Sequence, residues 1–201
     1  MKKIILFALL FSASNMVFGQ KALRNKRFTK GFNVGFNHAN FLMESSNPLE
    51  TINNGTGFRL GLISNLAISK RFSLEPQAEL SFNSSQLIYG EEQRTINPVD
   101  LEFMIHAKLK LRKGGLSPYL IAGPNVKFPL GDKNSLVVPT REHVGIDMGI
   151  GLDVPFGRRV LVSPELRYSF GLTSINENST YSDIKFHNVA LILNLSGRPR
   201  F

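Results

Sequence analysis

From Val99 onward the chain alternates with a period of two. Val99, Leu101, Phe103, Ile105, Ala107, Leu109 and Leu111 are apolar; Asp100, Glu102, Met104, His106, Lys108, Lys110 and Arg112 stand between them. Successive side chains of a β-strand point to opposite faces, so this order predicts a strand with one apolar face and one face charged in both signs. Lys113-Gly114-Gly115-Leu116-Ser117 then predicts a turn that returns the chain along Pro118 to Leu130.

The same pattern recurs and predicts eight strands in all. The first, 32–41, puts Phe32, Val34 and Phe36 on one face, and its alternation slips over 38–41, where a bulge is expected. The second, 58–68, sets Phe58, Leu60, Leu62, Leu66 and Ile68 against Arg59 and Asn65. The third, 72–83, sets Phe72, Leu74, Pro76, Ala78, Leu80 and Phe82 against Ser73, Glu75, Gln77, Glu79, Ser81 and Asn83. The fourth and fifth are the hairpin over 99–130. The sixth sets Val144, Ile146, Met148, Ile150, Leu152, Val154 and Phe156 against Gly145, Asp147, Gly149, Gly151 and Asp153. The seventh pairs Val160, Val162, Pro164, Leu166, Tyr168 and Phe170 with Ser163, Glu165, Arg167 and Ser169. The eighth, 184–195, has Val189, Leu191, Leu193 and Leu195 as its best face. Pro76, Pro124 and Pro164 sit inside strands, where proline removes a ladder donor.

The connections alternate in length. Those at 69–71, 113–117 and 157–159 are tight; 43–56, 84–98, 131–142 and 173–183 are long and polar. Alternating apolar and polar faces with short turns at one end and long loops at the other predict an all-β fold, an eight-stranded antiparallel up-and-down transmembrane β-barrel. Its short turns would be periplasmic and its long loops extracellular. Phe72 and Phe82 lie ten residues apart, about 33 Å of strand. At a tilt of about 40° that spans roughly 25 Å, the height of the apolar band of such barrels. Alternation alone does not say which face is inside. A secreted soluble barrel of lipocalin type would turn the apolar faces inward, and a small transport or ligand-binding barrel would need an open, hydrated lumen.

The N-terminus adds export. Lys2 and Lys3, the apolar run 4–11 and Val17-Phe18-Gly19 before Gln20 form a signal-peptide pattern over residues 1–19. A basic periplasmic segment, 20–30, and a barrel domain, 31–201, are expected to follow. The chain has no cysteine, which removes disulfides, thiolate metal sites and a lipid-anchored N-terminus.

Charge is distributed by position. After loss of Lys2 and Lys3 the chain carries 22 basic residues (24 less 2) and 15 acidic, a net +7. The end with the tight turns holds Lys21, Arg24, Lys26, Arg27, Lys30, Lys70, Arg71, Arg112, Lys113, Arg158, Arg159, Arg198 and Arg200, and no acid. The long loops hold Glu44, Glu50, Glu91, Glu92, Asp132, Glu142, Glu177 and Asp183 against Arg94, Lys133 and Arg141. The polar faces of the wall hold Glu75, Glu79, Asp100, Glu102, Asp147, Asp153 and Glu165 against Arg59, Lys108, Lys110, Lys127, Arg167 and Lys185. An eight-stranded barrel is just wide enough for its own side chains, so these wall charges predict a paired plug. Lys70, Arg71, Arg112, Lys113, Arg158 and Arg159 form a candidate periplasmic docking patch. They suit phospholipid phosphates or an acidic periplasmic or envelope-complex protein.

Catalytic chemistry finds little to build on. His143 stands beside Glu142 at a loop edge, His38 near the first long loop, and His106 in mid-strand among wall charges, without a converging Ser and carboxylate at the rim. No catalytic site, no metal spacing and no cofactor is expected. Neither is nucleic acid, since no aromatic-basic interleaving is present. Gly145, Gly149 and Gly151 suit a crowded barrel interior.

Asn97-Pro98-Val99-Asp100-Leu101-Glu102, then Leu109-Lys110-Leu111-Arg112, then Ser117-Pro118-Tyr119-Leu120-Ile121-Ala122-Gly123-Pro124 resemble the PorT-like outer-membrane β-barrel family. So does the preceding strand Phe72-Ser73-Leu74-Glu75-Pro76-Gln77-Ala78-Glu79-Leu80. The resemblance covers most of 31–195 and is specific over 72–130. It implies an outer-membrane barrel that is not an enzyme, structural or accessory to envelope assembly; type IX secretion is the role of the family's namesake, while many relatives have no assigned role.

Overall fold

The computed structural model describes residues 27–43, 50–89, 92–96, 99–112, 115–130, 142–173 and 184–199. The expected signal peptide and the basic segment up to residue 26 lie outside them. Among the described residues nine strands are present: β1 (Phe28–Met43), β2 (Glu50–Ala67), β3 (Phe72–Tyr89), β4 (Glu92–Ile96), β5 (Val99–Lys110), β6 (Ser117–Pro129), β7 (His143–Phe156), β8 (Val160–Gly171) and β9 (Ile184–Gly197). They run in the order β2-β1-β9-β8-β7-β6-β5-β3, and a β2–β3 pairing closes the ring. All pairings are antiparallel. β4 lies beside the far end of β3, from Ser85↔Ile96 to Tyr89↔Glu92, so the closed barrel has eight staves.

Three boundaries differ from expectation. β1 begins at Phe28, within the segment read as a basic arm, and β2 begins at Glu50, within a predicted loop. The predicted loop 84–98 is largely a hairpin made by β3 and β4. Polar composition marks these stretches as arm or loop, but a strand that continues past the membrane, on either side, needs no apolar face. The bulge expected in 38–41 is also displaced. β1 keeps unbroken register with β9 through Met43, and the irregularity falls between Asn53 and Thr56 of β2, in its pairing with β3.

The prolines are accommodated by local gaps in the ladders. β2 and β3 are paired at Ile63↔Gln77 and again at Leu66↔Leu74, skipping the positions opposite Pro76 and Glu75. β7 and β8 skip from Gly151↔Glu165 to Val154↔Val162 around Pro164, and β5 and β6 skip from Met104↔Asn125 to Ala107↔Ala122 around Pro124. The residue sums are equal on both sides of each gap, so register survives the missing donor. Two skipped pairs are joined by side chains instead: Asn65 donates to Glu75, and Ser163 Oγ donates to Asp153 at 2.7 Å.

Closure settles which face is inside. Phe36, Leu62, Ile150 and Leu191 point outward and are exposed, Phe36 at 74%. Arg59, Glu79, Glu102, His106 and Arg167 point inward and are buried. An inward apolar face, as a soluble lipocalin-type barrel requires, is overturned by this arrangement. In lipid, only a helix or a closed barrel satisfies every backbone group within itself. On the outer wall Phe58 stacks on Phe82, ring centroids 4.6 Å apart. Gly115 and Gly157 end two of the tight hairpins with φ of 61° and 67°, a left-handed conformation that glycine adopts without strain.

Candidate functional site

Two charged regions follow from this geometry, one filling the lumen and one ringing the tight-turn end. In the lumen, Arg167 of β8 reaches across to β3, four staves away in either direction around the ring. Its Nη1 donates to Glu79 at 3.0 Å and its Nη2 to Gln77 at 2.9 Å, while Nε and Nη2 also donate to Glu165 at 3.0 and 2.8 Å. Glu79 in turn accepts from Arg59 at 3.0 Å and Asn33 at 2.8 Å. Tyr119 donates to Glu165 at 2.9 Å, and Lys127 pairs with Glu102 at 3.1 Å. Towards the tight turns, Lys108 lies 2.8 Å from Asp153 and 3.2 Å from Glu75, and Lys110 lies 2.6 Å from Asp153. The Lys108 ammonium also stands 3.8 Å from the centre of the Tyr119 ring.

Arg167 joins staves four places apart through Glu79 and Gln77. Asn33–Glu79, Tyr119–Glu165, Lys108–Asp153 and Lys110–Asp153 join staves two apart, so these links cross the lumen. Arg59–Glu79, Lys127–Glu102 and Lys108–Glu75 tie neighbouring staves. They form the paired plug that the wall charges predicted, because a buried charge is tolerated only with a partner. Gly151 makes room for part of it: a Cβ there would lie 2.3 Å from Tyr119 Cζ. Gly145 and Gly149 face inward in the same strand, consistent with their expected role in a crowded interior. Lys185 has no described side-chain environment.

The histidines do not converge. His106 is fully buried; it donates from Nε2 to Asp147 at 2.9 Å, and its Nδ1 accepts from Gln77 at 3.3 Å. No hydroxyl nucleophile occupies either ring nitrogen. His38 is exposed on the outer face, and His143 is buried facing the lumen, so neither shares a surface with the other. His187, which the alternation did not single out, packs on the outer wall against Phe170 at 4.8 Å and lies 2.6 Å from the Tyr168 hydroxyl. Its place among outward aromatics of β8 and β9 was readable only from the register of that pair. Among the described residues no group of three or more His, Cys, Asp or Glu is placed to hold a metal ion.

The second region is the rim. Lys70 and Arg71 sit in the β2–β3 turn, Arg112 just after β5, Arg158 and Arg159 in the β7–β8 turn, and Arg198 just after β9; Arg27 and Lys30 flank the start of β1. All eight are exposed, and no acid lies at this end among the described residues. Backbone bonds tie the turns to their neighbours, from Lys110 N to Arg71 O and from Arg198 N to Arg159 O, each 2.8 Å. The structure therefore gathers Lys70, Arg71, Arg112, Arg158 and Arg159 onto one rim. They are spread around its circumference, not gathered in a single patch. Lys113 lies outside the described residues. Lys30 stands on the outer face with its ammonium 5.7 Å from the Phe28 ring centre.

A family model described as outer membrane protein beta-barrel domain matches residues 18–177. The chain belongs to that family. The solved structures it resembles include the outer membrane protein OprG from Pseudomonas aeruginosa, at 13% identity and a TM-score of 0.54, over 85% of this chain and 93% of that one. They also include Neisserial surface protein A, at 14% identity and a TM-score of 0.53, over 84% and 96%. At these identities the likeness is one of fold. No curated protein matches the chain significantly. Family and fold together make this an outer-membrane β-barrel protein, its tight turns periplasmic and its long connections extracellular.

Proposed function

We propose that this barrel is neither an enzyme nor a conduit and serves an envelope assembly through its periplasmic rim. Its PorT-like resemblance makes type IX secretion the first assembly to test. The observation that carries this is the rim itself, with eight exposed cations and no acid among the described residues at that end. Such a field accelerates encounter with an acidic surface and selects against basic partners. Phospholipid phosphates share it, and Lys30 beside Phe28 is placed for them, but the turn cations project beyond the strands towards the periplasm. The filled lumen argues against diffusion through the barrel. Arg167 and its partners cross the full width that a solute would need.

The test replaces Lys70, Arg71, Arg158 and Arg159 by Gln in the native cell. The expected result is an unchanged barrel in the outer membrane that no longer cross-links to or co-purifies with an acidic envelope protein. Unaltered complexes and phenotype would overturn the docking role. In planar bilayers the purified barrel is expected to give no stable conductance steps; sustained steps would restore the transport alternative.

A further inference from the structure

One buried ring has its proton placed by a neighbouring amide. Arg167 offers only N–H donors, so the atom that meets its Nη2 at 2.9 Å must be the carbonyl oxygen of Gln77. Asn33 Nδ2 donates to the same oxygen at 3.3 Å. The Gln77 amide is thereby oriented, and its Nε2 faces His106 Nδ1 at 3.3 Å as a donor. Nδ1 must then accept, which leaves the one ring proton on Nε2, 2.9 Å from Asp147. His106 is neutral in this arrangement, although it lies against a carboxylate.

The surroundings of the ring come from five staves. Asp147 of β7 also accepts from Asn125 of β6 and stands opposite Ser169 of β8. Glu75 of β3 is the residue opposite His106, and it is held by Asn65 of β2 and by Lys108, the next inward residue of β5, at 3.2 Å. β6 passes close with Gly123, where a Cβ would lie 3.0 Å from His106 Cα. Arg167 of β8 passes Met104, its Nη1 3.0 Å from the sulfur, to reach Gln77. Among the described side chains Gln77 is the one bonded to Nδ1.

We infer that His106, Gln77 and Arg167 form a proton-operated latch on the cross-lumen tie between β3 and β8. A second proton, taken from water, has only Nδ1 to go to, and the new Nδ1–H needs an acceptor. The Gln77 carbonyl meets that need only when the amide turns over. Turning sets the Gln77 N–H groups against those of Arg167 and Asn33, so both bonds to its oxygen are lost. Nε2–H stays on Asp147, and the contact becomes an ion pair. Arg167 keeps Glu79 as its hold on β3 and Glu165 on its own strand. Acid therefore loosens the plug at one defined bond without dismantling it.

The test uses the full barrel in detergent micelles. Nitrogen NMR follows the His106 ring, the Gln77 amide and the Arg167 guanidinium from neutral pH into acid. At neutral pH the ring is expected to be neutral with its proton on Nε2. As acid converts it to imidazolium, the Gln77 and Arg167 signals are expected to shift with the same midpoint, a step that His106→Gln removes. Gln77→Glu gives both neighbours an acceptor at once, so its ring is expected to be imidazolium already at neutral pH, with Arg167 undisturbed. Four results would each overturn the latch: a parent ring charged or protonated on Nδ1 at neutral pH; a ring neutral until the barrel unfolds; a ring that charges while Arg167 stays in place; or the same Arg167 step in His106→Gln. A neutral ring in folded Gln77→Glu would do so too, and if either variant fails to assemble the parent spectra decide.

Discussion

The lumen and the periplasmic rim draw on the same residues and use them in opposite ways. Inside, Arg59, Lys108, Lys127 and Arg167 are buried and each lies against a carboxylate. At the rim, Lys70, Arg71, Arg112, Arg158 and Arg159 are exposed, with no acid at that end among the described residues. Buried charge must find a partner or be neutralised, because water no longer screens it. Solvated charge needs no partner and is free to act on something outside the molecule. A cation in this protein is therefore structural when it faces inward and available when it sits in a turn.

That contrast can be broken most severely at Arg167. Arg167→Met leaves Glu79 and Glu165 facing each other without it, and is expected to cost about 3–5 kcal/mol, read as a lower urea midpoint for unfolding of the micelle-held barrel. A loss under about 1 kcal/mol, typical of an exposed pair, would mean that the lumen is wet. Next in size is a charge placed on the other side of the wall. Ile150→Arg, on the lipid face near mid-height, is expected to cost about 2–4 kcal/mol in bilayers. If the variant folds in lipid as well as the parent, the outward assignment of that face fails.

A smaller effect is expected where a side chain bridges a ladder gap. Ser163→Ala removes the bond to Asp153 beside Pro164 and should cost roughly 1 kcal/mol in the same unfolding assay; no change would show that the bridge is incidental. Smallest is the rim. Arg158→Gln with Arg159→Gln is expected to move stability by no more than about 0.5 kcal/mol while weakening capture of an acidic partner at low salt. A rim pair that proved as costly as Arg167 would erase the distinction between the two regions.

How much of this was legible beforehand depends on whether a feature is local. The strand faces at 72–82, 99–111 and 144–156 were readable because a side-chain period of two is a local property of the backbone. So was the run of cations at the tight-turn end, since turn residues stay where the chain reverses. The extensions were not: 50–56 and 85–96 carry no apolar alternation, and their strands exist because β2, β3 and β4 continue to pair above the membrane. The bulge was misplaced for a similar reason, since an uneven stretch in β1 is held in register by β9 and the extra residue is absorbed in β2.

By itself the sequence determined that the wall has one apolar and one charged face, that its turns are basic, and that no cysteine chemistry is possible. Alternation is unchanged when a barrel is turned inside out, so only closure of β2 onto β3 decided that the charges face the lumen. Tertiary structure alone also chose their partners. Arg167 and Glu79 lie 88 residues apart and meet because their strands stand on opposite sides of a narrow ring. Among the described residues the same ring leaves Asp100 as the one lumen carboxylate with no Lys, Arg or His nitrogen within ion-pair distance, which no reading along the chain could have singled out.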